Sequence, residues 1–206
     1  MAFFIDRQID AVHTAQEFVQ RWAEAVLRQA ARTREVRRRT ATDERAYDLG
    51  DVPELDPWML EANRRELWTE EHMLVWSARQ LERWRARLAK ERNEPAPPEN
   101  EALKDARDAL EHLDEAVLGL EAATPPEDGT RRQQGRALRK LPEQSLSLNI
   151  GGDKLFEVLD PEVIDREALA VVASIEAELN DWATDHFAEL MRDEQKEEDV
   201  ETSDPQ

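Results

Sequence analysis

Apolar residues recur along this chain at helical rather than strand spacing. Between about Asp10 and Arg39, Phe18, Trp22, Ala25, Val26, Ala30 and Val36 fall on one face with charge opposite, which predicts a first amphipathic helix. Thr40 to Pro53, with Gly50 and Pro53, reads as a connection. Asp56-Pro57 supplies an N-cap acid and a proline at the first helical position, so a second helix is predicted from there to about Arg92. Within it Leu60, Leu67, Leu74, Leu81 and Leu88 form a heptad of leucines. The complementary positions Arg64, Glu71, Ala78 and Arg85 are mostly polar, so a bundle seam explains the stripe better than a two-stranded coiled coil.

After the breaker Glu94-Pro-Ala-Pro-Pro98, a third helix is predicted over about Asn100 to Ala123, with Leu103, Ala106, Leu110, Leu113, Val117 and Leu120 on one face. Thr130 to Asp160 is irregular, and Gly151-Gly152 between two short apolar runs predicts a short β-hairpin near 145–159. Asp160-Pro161 then opens a fourth helix carrying Val163, Leu169, Val172, Ile175, Leu179, Trp182, Ala183, Phe187 and Leu190. The expected architecture is all-α: an antiparallel bundle of about four long helices with that hairpin as an insertion. One domain is expected over 1–195, followed by a disordered acidic tail at 196–206.

Composition narrows the options. The chain carries 40% hydrophobic and 36% charged residues with six glycines, which favours helices over sheets. There is no cysteine, so thiolate metal sites are excluded. No stretch approaches the roughly 20 apolar residues of a membrane span, and the first residues are too soon charged for a secretory signal. A cytoplasmic protein without membrane partner, metal or other cofactor is therefore expected. The formal net charge is -19, yet basic clusters occur at Arg34 to Arg39, Arg79 to Arg92 and Arg131 to Lys140. An acidic total repels nucleic acid, while a local basic stripe can still bind it.

Motifs for most enzyme classes are missing. No Glu-x-x-His pair suits a di-iron bundle, and there is no Gly-x-Ser-x-Gly, His-Glu-x-x-His or dinucleotide fingerprint. His72 reads as a surface residue and His186 as a core-edge one. Trp22, Trp68, Trp76, Trp84 and Trp182 fall on apolar helix faces, as packing residues would.

What remains is Arg107-Asp108-Ala-Leu-Glu-His112 on the third helix. It resembles the signature of the HEPN family, an Arg, then Asn, Asp or His, then a His a few residues on. The resemblance covers about a dozen residues and implies an all-helical ribonuclease that acts without metal as a homodimer, in a toxin–antitoxin or phage-defence setting with an antitoxin partner. His112 would be the general acid or base, Arg107 would stabilise charge on the phosphorane, and Asp108 would support the imidazole. At about 100° per residue Arg107 and His112 lie roughly 140° apart on the helix, so two copies would have to meet across a two-fold axis. Arg131, Arg132, Arg136, Arg139 and Lys140 are the candidate RNA contacts. The main alternative is a non-catalytic helical interaction module, dimeric through the leucine stripe. A third reading is a small-ligand or nucleotide-binding bundle without catalysis.

Overall fold

The computed structural model describes the backbone of residues 2–119, 122–127 and 135–201, with side chains from residue 10 to 192 within those ranges, Leu190 excepted. Its elements are α1 (Ala2–Leu49), α2 (Pro57–Glu91), α3 (Glu101–Glu111), β1 (Val117–Leu118), β2 (Ala122–Thr124), β3 (Leu146–Ser147) and α4 (Pro161–Glu201). Three long helices and one short one form the body.

α1 and α2 make an antiparallel hairpin. Gln16 near the start of α1 meets Arg92 just past the end of α2, whereas Glu44 meets Arg64 at the other end. The seam holds Val19, Ala23, Val26, Ala30 and Val36 of α1 against the leucine stripe of α2, whose five members are all buried. The leucines of the stripe are thus buried within the protomer. α4 lies antiparallel to α1, with Arg34 on Asp165 and the Arg92–Glu178 pair marking its course. Ile164, Ala168 and Ile175 are its buried residues.

Several boundaries differ from expectation for local reasons. α1 runs through the segment expected as a connection and stops only at Gly50, whose φ of 69° is the left-handed conformation that ends helices. Polar residues there are tied down: Thr40 Oγ1 donates to Val36 O at 2.8 Å, and Asn63 Nδ2 donates to Asp43 at 2.8 Å. α2 begins where predicted, with Asp56 accepting from Met59 N at 2.9 Å. α3 stops at Glu111 instead of reaching Ala123. The residues beyond it pair as an antiparallel ladder, Val117 with Thr124 and Ala123 with Leu146, so the apolar stripe changes from helical to strand use. The expected hairpin near 145–159 is accordingly displaced: the tight pair is β1–β2, β3 adds to it, and 150–159 forms turns closed by a Leu155–Leu159 bridge. α4 starts at Pro161 as predicted and continues helically to Glu201, into the stretch expected as a tail.

One buried polar knot ties the loop 149–159 to the α1–α2 seam. Glu71 is completely buried, at one of the polar heptad positions that spoil a coiled coil. One carboxylate oxygen pairs with Arg37 of α1, and the other accepts from Phe156 N at 2.9 Å. Arg37 also donates to the carbonyls of Asn149 (3.2 Å), Lys154 (3.0 Å) and Gly152. Phe156 and Glu157 have φ of 49° and 62°, each costing about 1–2 kcal/mol for a residue with a Cβ. Burial of Phe156 edge-on to Trp68, with centroids 4.8 Å apart, offsets that strain.

Burial raises the Glu71 carboxyl above the usual carboxylate range, while Arg37 and the Phe156 N–H pull it back only in part. A raised value in the folded state means that this group's contribution to stability is full below about pH 4 and is lost as pH rises through the folded value. Glu71→Gln is expected to remove that dependence, so urea unfolding between pH 4 and 8 should favour the Gln variant increasingly as pH rises; a constant or reversed difference contradicts it. Glu71→Ala, which strands Arg37, should cost about 3–5 kcal/mol at neutral pH. Leu74→Ala should lose about 2–5 kcal/mol without altering the sedimenting species, as befits a residue of the internal seam.

Candidate functional site

The HEPN-like residues sit at the end of the short helix α3. The Arg107 guanidinium pairs with Glu111 one turn on and lies 3.4 Å from Asp108 Oδ1, and Nε is buried without a partner. Asp108 therefore serves the arginine; no side-chain contact links it to His112. His112 caps α3, its N–H donating to Asp108 O at 3.2 Å. The imidazole is more than half exposed, with Nδ1 3.3 Å from Glu115 Oε1. The other Glu115 oxygen accepts from Gly135 N at 3.0 Å. Gly135 has a φ of 64°, and a Cβ there would fall 2.9 Å from Pro126, so only glycine allows this close approach. Glu115 thus lies beside His112 while its other oxygen is held by Gly135, a residue 20 positions on that sequence spacing does not point to.

The basic clusters are largely neutralised. Arg34, Arg37, Arg38 and Arg39 pair with Asp165, Glu71, Glu35 and Glu66. In the third cluster Lys140 pairs with Asp105 at 2.9 Å and Arg139 donates to Pro126 O at 2.7 Å, while Arg136 is exposed. Arg131 and Arg132 lie outside the described residues. Among the described residues no group of histidine and acid side chains is arranged to hold a metal ion, and no helix is long and apolar enough to cross a membrane.

Two other features stand out. Because α3 is short, nothing of full length packs between α2 and α4, and a cleft of about 760 Å³ opens there. Val19 and Val26 of α1 line it together with Leu81 and Leu88 of α2 and Val171 and Ile175 of α4. The linker prolines Pro97 and Pro98 and Leu103 of α3 wall it on the linker side. Arg92, half-buried, is held there by Glu178 at 2.5 Å and Gln16 at 3.3 Å, and the Glu178 carboxylate, with a smaller contribution from Glu94, raises its pKa against the opposing effect of burial.

The second feature is the distal half of α4, where every described residue after Ile175 is exposed. It presents Leu179, Trp182, Phe187 and Met191, with Trp182 and Phe187 each 65% exposed. His186, expected at a core edge, is exposed and stacks on Trp182 with centroids 5.2 Å apart. His72, expected at the surface, is half-buried, and burial lowers its pKa. Trp22, Trp68, Trp76 and Trp84 are all partly buried, so Trp182 is the exception among the five tryptophans expected to pack. The chain matches no family model, no curated protein and no solved structure.

Proposed function

We propose that this chain is a non-catalytic helical interaction module that docks a protein partner through the apolar edge of α4. The observation that carries the reading is the exposure of Leu179, Trp182, Phe187 and Met191 on one helix. Single exposed apolar residues are ordinary, but here Leu179 and Trp182 continue the face of Ile175 while Phe187 and Met191 open on a second face, about 140° round the helix from Trp182, so one end of α4 carries two exposed apolar faces. A second copy of the chain is a poor occupant. Asp181, Asp185 and Glu189 flank the same turns, and two such edges would set carboxylates against each other.

The ribonuclease reading, with its antitoxin partner and defence setting, rests on the HEPN resemblance and is the competing proposal. Pairing of Arg107 with two carboxylates of its own helix weighs against it, since that guanidinium would have to be released to meet a phosphorane. An exposed imidazole with Nδ1 3.3 Å from Glu115 is the feature in its favour.

Two measurements separate the readings. The module predicts that purified protein leaves RNA intact in EDTA and that His112→Ala behaves like wild type; RNA ends bearing 2′,3′-cyclic phosphate, lost in His112→Ala and Arg107→Ala, would instead establish the ribonuclease. A photo-crosslinker placed at position 182 in the source cells should give discrete adducts that the same group at exposed Arg45 does not. Equal or absent adducts at the two positions contradict docking through α4. Trp182→Asp should leave the melting temperature within about 2 °C of wild type, since the side chain is exposed.

A further inference from the structure

We infer that the cleft between α2 and α4 receives a basic amphipathic helix of a partner protein, which continues along the apolar edge of α4. The inference rests on the interaction-module reading and names the partner's chemistry. Three observations lead to it.

The first is the shape of the vacancy. α2 and α4 both pack on α1, and the cleft lies where a fourth long helix of a bundle would run. α3 is only 11 residues long and fills one end. Ala170 and Ser174 of α4 are exposed yet line the cleft, so it opens to solvent along that helix. The apolar side chains at its floor, Val19, Val26, Leu81, Leu88 and Ile175, are already buried, so the cleft is a shallow trough for the ridge of a helix and not a pocket enclosing a small molecule.

Continuity along α4 is the second. At about 100° per residue, Ile175, Leu179, Trp182 and His186 fall within an arc of roughly 60°. Ile175 is buried at the cleft, and the other three are exposed beyond it. An apolar stripe of Ile175, Leu179 and Trp182, ending at His186, thus leaves the cleft and is uncovered among the described residues. From Ile164 to Met191 the helix advances about 40 Å, room for an occupant of roughly 25 residues.

The third observation is charge. Glu167, Glu178, Asp181 and Asp185 also fall within an arc of about 60°, on the cleft side of the apolar stripe. Among the described residues Glu178 is matched by Arg92, while Glu167, Asp181 and Asp185 have no ion-pair partner. At the cleft rim Glu82 and Glu99 are answered by Arg79 and Lys104, which leaves Glu94 and Glu167 against the single unpaired Arg85. The rim is net acidic in a chain of net charge -19. A helix with leucine-like residues on one face and lysine or arginine along its flanks complements both stripes.

The test uses the full chain and three synthetic 20-residue peptides. One places Leu and Lys at amphipathic helical spacing, the second replaces Lys by Glu, and the third scrambles the first. Calorimetric titration should show micromolar binding of the Leu/Lys helix, weakened about tenfold or more between 50 and 500 mM salt. The Glu peptide should not bind, and the scrambled one should bind at least about tenfold more weakly. Ala170→Trp, which fills the cleft from an exposed position, and the triple change Glu167→Lys, Asp181→Lys, Asp185→Lys should each weaken binding about tenfold or more. Circular dichroism confirms that these variants fold. Equal binding of the acidic peptide, or binding untouched by either variant, overturns the inference, as does absence of any binding. If Trp182→Asp abolishes binding while Ala170→Trp does not, the cleft has no part in it but the interaction-module reading stands. Concentration-dependent dimerisation blocked by Ala170→Trp would assign the cleft to a second copy and overturn the inference as well.

Discussion

The seam between α1 and α2 carries the rest of the molecule, and its depth depends on how Glu71 is satisfied. An ionised carboxylate with no exposure would be intolerable alone. Arg37 from the facing helix and the Phe156 N–H from a loop some 85 residues away together make it tolerable. The same guanidinium gathers three carbonyls of that loop. A single buried pair thus fixes the relative register of two helices and anchors the irregular segment that leads into α4. Burial of ions seldom adds net stability, but removing one partner is costly, so a pair of this kind specifies an arrangement more than it strengthens it.

Around that seam the surface charges are largely consumed internally. Arg32, Arg39 and Arg64 bridge α1 and α2 through Glu66, Glu70 and Glu44, each contact worth little by itself at the surface. They hold the two helices together, while along α4 Glu167, Asp181 and Asp185 have no ion-pair partner among the described residues. The short α3 has the complementary effect on apolar surface, since it covers one end of the α2–α4 gap and leaves the remainder open. Acid without an ion-pair partner among the described residues and exposed apolar side chains therefore meet along α4, although Trp58, Leu49 and Leu118 are exposed elsewhere.

Much of this was legible in the sequence. Asp56-Pro57 and Asp160-Pro161 mark the true starts of α2 and α4, and the leucine heptad is the seam that its polar companion positions imply. Local pattern failed where distant contacts decide. Val117 and Ala123 continue the helical stripe of α3 on paper, yet Leu146 offers Ala123 a ladder partner, and the helix ends early. Thr40 to Leu49 lacks a strong apolar face but meets Asn63 and Arg64 across the hairpin, so α1 continues. The motif Arg107-Asp108-x3-His112 was visible, and so was the i,i+4 spacing by which Glu111 occupies Arg107; only the contact of Glu115 with Gly135, 20 residues on, lay beyond local pattern. Trp182 fits an apolar helical pattern as well as any core residue does; only the absence of a covering element in three dimensions separates it from Trp68.

A helical body that leaves the described distal part of α4 exposed is the basis for regarding the chain as one half of an interaction. Native-state hydrogen exchange on the isolated protein, shown to be monomeric by sedimentation, tests that directly. Amides of residues 179–191 should exchange orders of magnitude faster than those of the seam around Val26 and Leu74, because no packing protects them. Protection of 179–191 equal to that of the seam would show that α4 is already covered, and would contradict the account.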